Sequence, residues 1–132
     1  MQHHKILVVD DDKEDHFILQ EYFVDAGVDM SIVHFADNGK MALEYLATIP
    51  TKEDLPQLIV LDLNMPIMNG TQTLLFLKQD ARYKKIPVII FSTSENENEK
   101  RKCLGFGATE YLVKPMTLDE GHQVIQKFIS YL

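Results

Sequence analysis

The chain has 132 residues, room for one domain, with 45% hydrophobic and 25% charged residues, the balance of a folded globular protein rather than a disordered one. Its formal net charge of −7 argues against a nucleic-acid binder, which presents a basic face. The single cysteine, Cys103, excludes an internal disulfide and fits a reducing, cytoplasmic setting, while no stretch approaches the roughly 18 apolar residues of a membrane span and the N-terminus lacks the layout of a signal peptide.

Ile6-Leu7-Val8-Val9 reads as a buried strand, stopped by Asp10-Asp11-Asp12. Phe17, Ile18, Leu19, Tyr22 and Phe23 at helical spacing predict a helix from about Glu14 to Ala26, with Asp12 as its N-cap and Gly27 as its stop. Met30 to Phe35 is a weaker second strand, and Asp37-Asn38-Gly39 turns the chain into a second helix marked by Met41, Ala42, Leu43, Tyr45 and Leu46. A polar loop from Ile49 to Pro56 is too short to separate domains.

Leu58-Ile59-Val60-Leu61 is the third strand, ended by Asp62. Gly70 precedes a helix carrying Leu74, Leu75 and Leu77, and Pro87 opens a fourth strand, Val88 to Phe91. A charged helix from about Asn96 to Phe106 follows, then a short fifth strand, Glu110 to Val113, and a last helix from Leu118 to Leu132. Cys103 is expected to pack rather than react. The basic clusters Lys84-Lys85 and Lys100-Arg101-Lys102 are expected on solvated helix faces or ends. Five strands alternating with five helices call for an α/β fold, a parallel sheet covered on both faces.

Ligands of such open sheets sit beyond the carboxyl ends of the strands. Those ends carry Asp10, Asp11 and Asp12, then Asp62, Ser92 and Lys114. If the first and third strands are neighbours, Asp10, Asp11 and Asp62 converge. Two carboxylates about 4 Å apart repel by roughly 4 kcal/mol at an effective dielectric near 20, so full ionisation calls for a cation. Oxygen-only ligands with room for water suit Mg²⁺ better than zinc.

Asp62 is the best nucleophile, since a carboxylate attacking phosphorus forms an acyl phosphate. Phosphoryl transfer asks mainly for positioning and charge neutralisation. Mg²⁺ and the Lys114 ammonium supply the neutralisation, and the Ser92 hydroxyl a hydrogen bond. A cis bond at Lys114-Pro115 would aim the lysine into the site; an ordinary trans proline leading into the last helix is the alternative.

The runs Ile6 to Asp12, Leu61-Asp62-Leu63-Asn64-Met65-Pro66 with Gly70, Phe91-Ser92-Thr93 and Tyr111-Leu112-Val113-Lys114-Pro115 together resemble the receiver domains of two-component response regulators, in order and over nearly the whole chain. The resemblance implies a doubly wound, flavodoxin-like (CheY-like) fold with strand order 2-1-3-4-5, formed by residues 1–132 as one receiver domain with no output domain. It implies that Asp62 accepts phosphate from a histidine kinase or a histidine phosphotransfer protein. It further implies Mg²⁺ held directly by Asp11, Asp62 and the Asn64 carbonyl, with Asp10 acting through water. Ser92 becomes the switch hydroxyl, Tyr111 the switch aromatic and Lys114 the phosphate-binding lysine. Within the family, the long loop before the third strand and Lys84-Lys85-Ile86-Pro87 are similar to single-domain regulators that partner bacterial phytochromes.

The resemblance also supplies an expected signal. Ser92 moves toward the phosphoryl group, Tyr111 swings into the vacated space, and the face of the fourth helix, fifth strand and last helix repacks to meet a downstream target protein; the alternative output is that Asp62 passes its phosphate on to a histidine in a relay, and a homodimer is compatible with the same surface. No catalytic turnover is expected beyond self-phosphorylation and hydrolysis of the aspartyl phosphate. A phosphatase of the haloacid dehalogenase type would place Asp-x-Asp on the first strand, and a flavin site would place a Ser/Thr/Gly-rich loop there. This chain has three acids after that strand and Asp62-Leu63-Asn64 after the third, which fits neither.

Overall fold

The computed structural model describes residues 4–132. Five short strands form one sheet: β1 (Ile6–Val9), β2 (Val33–Ala36), β3 (Leu58–Leu61), β4 (Val88–Ser92) and β5 (Glu110–Val113). All pairings are parallel and the order is β2-β1-β3-β4-β5, as the resemblance implied. Between and after the strands run α1 (Lys13–Asp25), α2 (Gly39–Ala47), α3 (Gly70–Gln79), α4 (Glu97–Gly105) and α5 (Leu118–Ile129).

The two-residue period of the strands divides the core. Leu7, Val9, Ile59, Leu61, Val88 and Ile90 pack on one face with Leu46, Leu74, Leu77 and Cys103. Ile6, Val8, Leu58, Val60, Ile89 and Phe91 pack on the other with Leu19 and Phe23 of α1 and Ile125 and Phe128 of α5. Strands buried on both faces cannot alternate with polar residues, which is why the central β1, β3 and β4 read as continuous apolar runs, while the edge strands β2 and β5 carry His34 and Glu110.

Caps set the helix starts. Asp12 accepts from the Glu14 N–H at 2.9 Å, as expected. Asn38, Asn69, Asn96 and Thr117 cap α2 to α5, with a reciprocal Asn69–Gln72 capping box on α3. Gly27, at φ +80°, lies just past the α1 C-cap Ala26. Two details depart from expectation. Met30–Ile32 form a single 3₁₀ turn, with Asp29 accepting from the Ser31 N–H, so β2 begins at Val33. On α1, Phe17 and Ile18 face outward while His16 is buried, its Nε2 2.5 Å from the Asp10 carbonyl.

Candidate functional site

The order β2-β1-β3 means that the chain winds in opposite directions from β1, and the crevice opens where β1 and β3 end side by side. Val9 pairs with Leu61, so Asp10 and Asp62 leave the sheet as neighbours. The Asp62 N–H donates to the Val9 carbonyl at 2.9 Å. The carboxylates of Asp10, Asp11 and Asp62 each offer an oxygen within 4.8 Å of the others. Asp10 and Asp62 are buried and Asp11 is open to solvent.

Lys114 enters from the far edge. Its N–H donates to the Ser92 carbonyl at 2.8 Å, continuing the β4–β5 ladder by one residue. That register aims the side chain. All described peptide bonds are trans, so the lysine reaches the site without a cis bond at Pro115. Its Nζ donates to Asp10 Oδ2 at 2.8 Å and to Asp15 Oδ2 at 2.6 Å and lies 3.6 Å from Asp62 Oδ2. The other Asp62 oxygen accepts from the Leu63 N–H at 2.8 Å.

The charges follow from this crowding. Burial, then the Asp10 charge, pushes the Asp62 carboxyl up to about 6, against the pull of Lys114 and the Leu63 N–H. Burial also raises Asp10, with its hydrogen bond from Lys114 opposing. Burial alone would lower the Lys114 ammonium, but its bonds to Asp10 and Asp15 and the surrounding negative charge hold it above the ordinary lysine value. A set of oxygen donors that resists full ionisation, with one member open to solvent, fits a divalent cation. Beside it a cavity of about 480 Å³ is lined by Asp11, Asn64, Asn69, Glu99 and Lys102 among others.

Gly70 permits the packing behind the acceptor. A Cβ there would lie 2.2 Å from the Asp62 carbonyl oxygen and 2.7 Å from Leu63 Cα, so only glycine lets α3 start against the end of β3.

Ser92 is fully buried as the last residue of β4, and its Oγ accepts from the Ser94 N–H at 3.1 Å. Tyr111 differs from expectation. Its ring is already inside, and its hydroxyl is shared between the Ser94 carbonyl at 2.9 Å and Glu99 Oε1 at 2.8 Å.

Asp10, Asp11, Asp62 and Lys114 therefore meet at one strand-end crevice, where Asn64 and Asp11 line one cavity wall. The residues that sequence reasoning missed are Asp15 and Glu99. Each is an acid in the first turn of a helix, where favourable interaction with the helix N-terminus is explanation enough.

The response regulator receiver domain family matches residues 6–126. Response regulator Rcp1 of Synechocystis sp. is 31% identical over 128 residues, spanning 96% of this chain and 86% of that protein. A solved structure of the phosphorylated cyanobacterial phytochrome response regulator RcpA matches with a TM-score of 0.80 and 29% identity, covering 98% of this chain and 93% of that one. The Mn(2+)-bound form of response regulator Rcp1 matches with a TM-score of 0.79 and 30% identity, covering 95% and 91%. A match over this span, on the same fold, means that the chain belongs to the response regulator receiver domains, the modules of two-component signalling that are phosphorylated on an aspartate.

Proposed function

We propose that Asp62 is the phosphoryl acceptor, that Asp10, Asp11, Asp62 and the Asn64 carbonyl hold Mg²⁺, and that Lys114 and Ser92 receive the phosphoryl oxygens. The observation that carries this reading is the 3.6 Å approach of the Lys114 ammonium to Asp62 Oδ2 inside the acid cluster. When bound, the cation offsets charge on the carboxylates and on the incoming phosphoryl group. Asp62 attacks phosphorus with an oxygen lone pair and forms a P–O bond. The P–N bond of a phosphohistidine breaks, and its electron pair returns to the imidazole of a histidine kinase or phosphotransfer protein. The rigid strand end holds the acceptor in place, and the Leu63 N–H fixes one of its oxygens.

The output is a change in what the β4–α4–β5–α5 face binds. With Tyr111 already inside, the phosphoryl group deepens an existing conformation through Ser92 rather than creating one. The likeness to the phytochrome response regulator RcpA supports a phytochrome-type kinase as the donor, and the chain then acts as a switch for a downstream protein. Among the described residues no helix is long and apolar enough to cross a membrane, and Cys103 is free and buried; both agree with a cytoplasmic site of action.

The test is intact-mass labelling by acetyl phosphate. One phosphoryl group per chain is expected with Mg²⁺ and none with chelator or in Asp62→Asn. Labelling of Asp62→Asn to the wild-type level would remove Asp62 from this role.

A further inference from the structure

We infer that Asp15 is a positioning residue that draws the Lys114 ammonium away from the acceptor and so weakens phosphoryl binding at Asp62. The inference rests on the reading of Asp62 as acceptor. Lys114 has three N–H donors. Two are committed at 2.6 Å to Asp15 and 2.8 Å to Asp10, whereas Asp62 is beyond hydrogen-bond range at 3.6 Å. The shortest of the three contacts is thus to a residue that stands outside the acid cluster able to hold a cation.

Asp15 differs from Asp10 in one respect that matters. Asp10 belongs to that cluster, so its negative charge is shared once a cation is present. Asp15 projects from the first turn of α1 and its side chain is 28% exposed. It has no second cationic partner among the described ion pairs. Lys114 is thus its one cationic partner among the described ion pairs, whether or not a cation fills the cluster.

Charge counting gives the direction. Asp10, Asp11, Asp15 and Asp62 carry four negative charges, while the lysine and a divalent cation carry three positive ones. Phosphorylation of Asp62 adds about one more negative charge. Asp15 lies within about 6 Å of the Asp62 oxygen, since the two flank one ammonium at 2.6 and 3.6 Å. Removing its charge frees a donor of Lys114 and removes a repulsion together.

The experiment is a beryllofluoride titration at saturating Mg²⁺ on the whole chain, read by amide NMR shifts. Asp15→Asn should bind roughly threefold or more tightly, the lower limit for a like charge about 6 Å away in water. Asp15→Glu, which restores the charge, should return toward the wild-type affinity, a rescue that a packing role would not produce. On a Lys114→Met background the Asp15→Asn gain should shrink to less than about twofold, because nothing then holds the carboxylate against the site and it turns to water. Unchanged or weaker binding by Asp15→Asn, or equally tight binding by Asp15→Glu, overturns the inference, as does an equal gain on both backgrounds. Asp62→Asn serves as the control. If it binds beryllofluoride like the wild type, the acceptor assignment fails; if it binds none while Asp15→Asn matches the wild type, only the role of Asp15 fails.

Discussion

Tyr111 is tied to Glu99 across the α4–β5 face, its hydroxyl donating to the carboxylate at 2.8 Å and reaching the Ser94 carbonyl at 2.9 Å. The ring packs against the cluster that contains Leu61 and Cys103. The hydroxyl therefore links the strand to the helix that is expected to repack. Tyr111→Phe keeps the ring and deletes the link. It should cost about 1 kcal/mol of stability, the net worth of a partly buried hydrogen bond, measured by urea denaturation. Acetyl-phosphate labelling should be retained, because the hydroxyl is bonded to Ser94 and Glu99 and not to the acceptor. Loss of labelling in this variant would place Tyr111 in the transfer step itself.

Asp62 makes stability depend on pH with a sign opposite to that of a salt-bridged carboxylate. Burial and the Asp10 charge raise its carboxyl to about 6, against an ordinary value of 3.8. The folded state therefore holds the proton more tightly than the unfolded chain. Below about pH 4 both states are protonated and there is no penalty. Between about pH 4 and 6 the folded protein loses stability as pH rises, and above that the loss is complete. In chelator, Asp62→Asn should be more stable than the wild type at pH 7 by about 2–3 kcal/mol, and the gap should close as pH falls toward 4. Saturating Mg²⁺ should narrow the gap at pH 7 by stabilising the wild type. A gap that stays constant from pH 4 to 7 would mean that ionisation of Asp62 is not its source.

Much of this site could be read before the fold was known, and for one reason. Asp10, Asp62, Ser92 and Lys114 each lie at or just after the end of a continuous apolar run. Such runs must be buried, and a parallel sheet delivers their ends to one edge. Asp15 and Glu99 carry no such mark, since an acid in a first helical turn is favourable in any helix. The inward position of Tyr111 depends on a side-chain rotamer, which periodicity does not encode. The buried face of α1 is hidden from periodicity for a related reason. Five apolar residues between positions 17 and 23 span more than one helical face, and the buried stripe runs through His16, Leu19 and Phe23 instead. β2 starts later than its apolar pattern suggests, because Met30 and Ile32 look strand-like while the turn they form is nucleated by the polar cap Asp29.

Gly70 couples helix packing to the acceptor. Its ideal Cβ position falls on backbone, 2.2 Å from the Asp62 carbonyl oxygen, so relief requires moving α3 or the end of β3. Gly70→Ala should cost about 2–3 kcal/mol, in the range of an overpacked core position. It should also slow acetyl-phosphate labelling, because the strain is passed to the residue that bears the acceptor. Wild-type labelling rates together with a lowered denaturation midpoint would show that α3 yields and Asp62 does not.

The loop between acceptor and α3 holds the clearest backbone strain among the described residues. Ile67 sits at φ +68°, and the Met68 N–H donates back to the Pro66 carbonyl at 2.7 Å, closing a γ-turn around it. A β-branched residue is a poor occupant of positive φ, and such a residue costs of order 1–3 kcal/mol. Ile67 is 77% exposed, so its side chain returns little packing for that cost. Ile67→Gly should therefore stabilise the protein by about 1 kcal/mol, the relieved strain less the extra backbone entropy of glycine. Ile67→Ala keeps a Cβ and should recover only a small part of that gain. Urea midpoints of the three proteins decide between causes. A gain in glycine alone assigns the strain to the φ angle, equal gains in both variants assign it to the branched side chain, and a loss in both means that the isoleucine makes a stabilising contact that its exposure hides.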